Sequence, residues 1–219
     1  MLLLLFLFNF IAEIPAPSGY QRVPTDAWGI YLRQLPLKKD ATVYLYNGEK
    51  KRNQSAQYAV VDLSVGIQDL QQCADAVMRL RAEYLFARKQ YQQIAFTSNA
   101  GKVFRFTAPY THEHLMQYLT EVFTYCNSAS LEKELKPKDI RNISIGDVFI
   151  RGGFPGHVVI VVDLVQDAKG NKRFMLAQSY MPAQDIHVLK GEMGPWYSAE
   201  EGVINTPEYT FHSSQLRSF

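Results

Sequence analysis

Apolar residues recur at three- and four-residue steps through Leu70, Cys73, Ala74, Val77, Leu80, Tyr84 and Leu85, a stripe that predicts a helix over 67–89. Asp69, followed three residues later by Gln72, has the form of a capping box and sets the expected helix start at Asp69. On the opposite face Asp75, Arg79 and Glu83 stand at four-residue steps. That is the spacing of solvent-exposed ion pairs worth about 0.2–0.5 kcal/mol each. A second stripe of Leu115, Tyr118, Leu119, Val122 and Phe123 predicts a helix over 113–125.

The remaining patterned segments read as strands. Residues 42–46 (Thr-Val-Tyr-Leu-Tyr) run into the turn signal Asn47-Gly48, and 56–65 follows with Tyr58, Val60, Val61 and Leu63. An early hairpin-like β segment is therefore expected. After Lys136-Pro137-Lys138 come a short strand over 147–150, a Gly-rich turn over 151–156 and a strand over 157–163. Behind His157 this last strand is aliphatic at both parities, which predicts a central strand covered on both faces. A polar loop over 167–172 then returns the chain as a strand over 173–178. A helix-rich part preceding an antiparallel sheet is an α+β arrangement, with helices packed on the sheet.

Length and composition narrow this picture. The chain has 219 residues, enough for one well-buried core and too few for two ordinary ones. Hydrophobic residues at 47% and charged residues at 20% exclude a disordered or collagen-like chain. The net charge is +2, and bases and acids are interleaved, so the concentrated positive field of a nucleic-acid binder is missing. Lys38-Lys39 and Lys50-Lys51-Arg52 read as solvated loop charges.

The amino terminus adds a targeting signal. Leu2 to Phe8 is solidly apolar and Phe10-Ile11 extends it, about half the ~18–20 residues of a spanning helix and near the length of a secretory apolar region. No basic residues precede it, and prolines interrupt the small-residue stretch around Ala16. The expectation is a leader over 1–17, a Pro/Gly/Ser-bearing linker over 15–24 and one domain over 18–219, placed extracytoplasmically without a stable membrane span. Oligomeric state is open.

Two cysteines are too few for a disulfide scaffold, although Cys73 and Cys126 could pair in an oxidising compartment. A thiol hydrolase needs a cysteine whose thiolate is favoured, an imidazole to share its proton and a group that holds the ring. Cys73 lies four residues after Asp69, late for the helix dipole, and its place on the apolar stripe equally suits an inert buried thiol. His157 follows Gly156 at the start of an aliphatic strand, where a site would open to solvent; a rim histidine satisfied by its neighbours fits there too. Asp163 shares the strand face of His157 but lies about 20 Å along at ~3.3 Å per residue, too far to orient it. The third group is expected on the returning strand, at Gln178, with Ser179, Tyr180 or Gln184 as alternatives.

His112-Glu113-His114 lacks the four-residue step of a helical zinc pair, and His187 and His212 form no ligand cluster. No metal and no other cofactor is expected. The turn over 151–156 lacks the Lys-Ser/Thr that completes a phosphate loop. Tyr180, Trp196 and Tyr197 are candidates for a stacking surface or for core aromatics.

The segment Gly146-Asp-Val-Phe-Ile, its Gly-rich turn and Gly156-His-Val-Val-Ile-Val-Val resemble the histidine strand of papain-like amidases of the NlpC and CHAP type. That resemblance covers roughly 69–179 and implies a papain-like fold. Cys73 would be the nucleophile, His157 the base and Gln178 the orienting residue, acting on an amide such as that of a peptide or peptidoglycan-derived substrate. The chain shows Gln-Cys-Ala-Asp where those amidases usually show Asp-Cys-Ser-Gly. From about Trp28 onward the chain also resembles an uncharacterised family of exported bacterial proteins, domain of unknown function family 4846. The matching segments include 32–37, 70–84, 146–150, 155–157 and 176–187. That family implies export but no activity. An extracytoplasmic binding or structural protein is the competing expectation.

Overall fold

The aliphatic run behind His157 becomes the central strand of the molecule. The computed structural model describes residues 8–191 and 193–219; the apolar stretch over 2–7 lies outside them. In chain order the strands begin with β1 (Tyr20–Arg22), β2 (Gln57–Val60), β3 (Ala95–Thr97), β4 (Val103–Arg105) and β5 (Lys136–Pro137). They continue with β6 (Val148–Arg151), β7 (His157–Asp167), β8 (Lys172–Gln178) and β9 (His187–Leu189). The last are β10 (Trp196–Ser198), β11 (Val203–Asn205), β12 (Thr210–His212) and β13 (Leu216–Ser218). Four helices accompany them among the described residues: α1 (Ala27–Arg33), α2 (Cys73–Ala87), α3 (His112–Tyr125) and α4 (Ser128–Glu134).

Nine strands form one antiparallel sheet in the order β2-β9-β8-β7-β6-β13-β5, with β1 paired to β7 and β10 to β8. β3–β4 and β11–β12 are separate hairpins. The α+β expectation holds at this level. β7 is buried from His157 to Val165, as its aliphatics of both parities require. One face of the sheet meets α1 and α2, where Arg33 bonds Asp163 and the Ser179 hydroxyl donates to the Gln71 carbonyl. The other face meets the β11–β12 hairpin, whose Phe211 packs on Phe149 and His157.

A bulge in β7 corrects one expectation. Val161 faces Leu176 and Asp163 faces Met175, so one extra residue enters β7 between them and the alternation reverses. Asp163 therefore lies on the opposite face from His157, towards α1, where Arg22 and Arg33 hold it at 2.8 and 2.6 Å.

Other differences have local causes. The strand expected over 42–46 is reduced to isolated bridges, because side chains take its backbone groups: Gln54 bonds both the N–H and the carbonyl of Val43, and Asp185 accepts from Tyr44 N–H. The Asn47-Gly48 turn does form, with Gly48 at φ +83°. β2 pairs with β9 instead of closing an early hairpin. The expected linker contains β1, and the 17/18 boundary falls inside packed structure. Ile11 and Ile14 are fully buried, and Trp196 donates to the Pro15 carbonyl. Asp75 and Arg79 are buried rather than solvent-facing, since α2 is covered nearly all round.

Candidate functional site

Cys73 is the first residue of α2, not a second-turn residue. The helix starts where Gln72 turns extended and the Asp75 carboxylate takes the Gln72 N–H at 2.9 Å. Asp69, the expected cap, accepts instead from Ala183 N–H at 2.6 Å and ties the approach loop to the loop after β8. Arg79 reaches back from the second turn to the Ser64 carbonyl and the Gln71 side chain. These bonds place Cys73 where the helix offers its unpaired N–H groups and positive partial charge.

His157 opens β7 after a glycine that nothing larger could replace. A Cβ on Gly156 would lie 2.3 Å from the Gly153 carbonyl oxygen and 2.6 Å from the Ser128 hydroxyl. The imidazole is 1% exposed and sits against Tyr180, Tyr209 and Phe211, with centroids at 4.7, 5.1 and 5.9 Å. Its Nε2 lies 2.7 Å from Gln178 Oε1. An amide oxygen only accepts, so Nε2 carries the proton and Nδ1 the lone pair when the ring is neutral. Of the four residues considered for this contact, the structure joins Gln178 to His157. Ser179 points to the other face and bonds the Gln71 and Gln184 carbonyls, while Tyr180 packs on the ring.

The thiol approaches from the helix side. The backbone amide of Val158, immediately after His157, and the Tyr180 side chain both lie near it. No hydrogen bond among the described residues joins thiol and imidazole directly. Burial, and secondarily the Asp75 carboxyl, push the thiol up to about 11 against the pull of the backbone amides of Val158, Ala74 and Cys73. Burial raises Asp75 itself to about 8, so near neutrality its carboxyl is mostly uncharged and desolvation is the principal effect on the thiol. Burial also lowers His157 to about 4, opposed by the Gln178 bond and by Glu208. The resting pair is therefore a neutral thiol and a neutral imidazole. Cys73 and Cys126 are separate free thiols.

Behind Gln178 lies a polar chain that sequence reading missed. Gln178 Nε2 donates to Glu208 Oε2 at 2.8 Å and lies 3.3 Å from His187 Nε2. Glu208 is held by the Lys51 ammonium and by Asn53. His187 Nδ1 lies 2.8 Å from the Asp185 carbonyl, and the Asp185 carboxylate pairs with Lys38. The two lysine clusters expected to be solvated thus each supply one inward partner; Lys51 is 7% exposed. Nothing in the local pattern marks Glu208 or Lys51, because they lie 157 residues apart and Gln178 is 30 residues from Glu208. Trp196 and Tyr197 prove to be core aromatics. On the loops flanking the site, Phe154 and Met181 are 96% and 58% exposed.

Cavities of about 240 and 480 Å³ are lined by residues such as Arg173, Trp196 and Glu200, and Lys138, Glu201 and His212; neither is lined by Cys73, His157 or Gln178. Among the described residues no helix is long and apolar enough to cross a membrane. Residues 11–108 and 105–218 match the family described as Domain of unknown function (4846). No curated protein and no solved structure matches the chain.

Proposed function

The chain belongs to the family described as Domain of unknown function (4846), and from its site we propose a cysteine hydrolase of amide or peptide bonds, similar in fold to papain-like amidases of the NlpC and CHAP type. The observation that carries this reading is the Nε2–Oε1 contact of His157 with Gln178, beside a cysteine that opens a helix. It leaves Nδ1 free to receive a proton. The thiol turns from Val158 N–H towards Nδ1 as substrate enters. Sulfur attacks the carbonyl carbon while its proton passes to Nδ1, and the oxyanion is met by the Cys73 N–H at the helix start. His157 returns the proton to the leaving amine, and water then cleaves the thioester. Exposed Phe154 and Met181 suit apolar side chains flanking the bond. The apolar run over 2–8 supports an extracytoplasmic setting and a substrate such as a cell-wall peptide.

The competing reading, a catalytically silent extracytoplasmic binding or structural protein, is favoured by one observation: the thiol is pushed up, not down, beside a closed imidazole. Acylation of Cys73 by p-nitrophenyl acetate, followed by mass spectrometry, separates the two. For the hydrolase the rate is flat from about pH 5 to about pH 9, because the proton goes to His157 and not to water. In His157→Gln it drops about 10²–10⁴-fold near neutrality and climbs about tenfold per pH unit, following the thiolate alone. Equal rates and equal slopes in the two proteins refute the hydrolase.

A further inference from the structure

We infer that Glu208, charge-paired with Lys51, is a positioning residue that fixes the direction of the Gln178 amide and through it the proton on His157. An amide can present either its oxygen or its NH₂ to a neighbour, and its shape hardly distinguishes the two. If Gln178 turned its NH₂ towards His157, Nε2 would have to accept. The neutral ring would then carry its proton on Nδ1, the nitrogen that the proposed hydrolase uses as base. What forbids this is the other end of the amide. Gln178 Nε2 lies 2.8 Å from Glu208 Oε2, and an ionised carboxylate only accepts. The Lys51 ammonium, itself buried, pairs with the same oxygen and leaves it no role but that of acceptor.

The second neighbour agrees. His187 Nδ1 faces the Asp185 carbonyl, which only accepts, so Nδ1 holds the proton and Nε2 offers its lone pair to Gln178 Nε2 at 3.3 Å. That contact is long, and the shorter, charge-assisted bond to Glu208 dominates. His157 thus donates to Gln178 and Gln178 to Glu208, on which the Lys51 ammonium converges from the other side. His187 reinforces this order from the side. Among the described residues Glu208 bonds Lys51, Asn53 and Gln178 and makes no hydrogen bond to Cys73 or His157, so its effect passes through Gln178.

The catalytic consequence depends on the hydrolase reading; the tautomer does not. The test is ¹⁵N NMR of histidine-labelled protein, with His157→Gln supplying the assignment, on Glu208→Gln and on Lys51→Met/Glu208→Gln, which removes the ion pair as a unit and leaves no unpaired charge. A glutamine at 208 can donate as well as accept, so the lock is released. The expected result is a His157 signal that is wholly Nε2–H in the native protein and a mixture with Nδ1–H in both variants. Cys73 acylation should fall at least about tenfold in step with it. A ring that stays wholly Nε2–H in both folded variants overturns the inference. If the tautomer shifts while native Cys73 shows no His157-dependent acylation, the inference stands and the hydrolase reading alone fails.

Discussion

Asp163→Asn is expected to lower the stability of the folded chain by about 3 kcal/mol, at the lower end of the 3–5 kcal/mol typical of a buried charge partner removed. The carboxylate is fully buried and bonds Arg22 and Arg33 with its two oxygens. Asparagine keeps the shape but not the charge, leaving two guanidinium groups without an anion. They retain carbonyl partners, Ile14 for Arg22, and Val23 and Leu164 for Arg33, and their side chains are 28% and 13% exposed, which places the cost at the lower end. Because this cluster joins β1, α1 and the segment around Ile14 to the central strand, the loss is felt across the domain. The melting temperature should drop by about 6–12 °C, and urea unfolding should give the free energy directly. A loss below about 1 kcal/mol would mean that the arginines rehydrate without cost.

Gly146→Ala is expected to be as severe, for a steric reason. Gly146 has φ +91°, a conformation that L side chains rarely adopt, and its added Cβ would lie 2.0 Å from Trp28 Nε1 and 2.3 Å from Cδ1. The indole has no room to retreat, being packed on Tyr31 and Tyr84 with Arg81 over its ring. Backbone strain of about 1–2 kcal/mol and overpacking of about 1–3 kcal/mol add to about 2–5 kcal/mol. Gly146 N–H also donates to the Val161 carbonyl, so its displacement disturbs the register of β6 against β7 that sets Arg151 beside His157. Combining Gly146→Ala with Trp28→Leu should recover the overpacking share but not the strain, giving costs well short of additive in a double-mutant cycle. Strict additivity would show that Cβ and indole do not meet.

The site was legible in parts. Helix α2, strand β7 and the return at β8 follow from local patterns, and with them the contact of His157 with Gln178. Two errors came from short-range rules applied where tertiary contacts decide. The Asp69–Gln72 spacing predicts a cap at Asp69, yet Ala183 N–H claims Asp69 and the cap falls three residues later at Gln72, whose N–H the Asp75 carboxyl accepts. Strict alternation predicts one face for Asp163 and His157, and the β7 bulge reverses it. The first makes Cys73 late for the helix dipole, whereas it opens the helix. The second leaves unchanged the conclusion that Asp163 does not hold His157.

Legible in the periodicities alone are a long helix, a two-faced aliphatic strand opening on a histidine, and a polar turn returning to a glutamine. Periodicity reports which residues seek burial, and burial organises elements a few turns or strands long. The proton inventory of the site arises only on folding. Burial of Cys73 and His157 sets their neutral resting state, and Glu208 and Lys51, 157 residues apart in sequence, meet behind Gln178. Charges that meet only after folding leave no local pattern, because their pairing energy depends on the low-dielectric interior that folding creates.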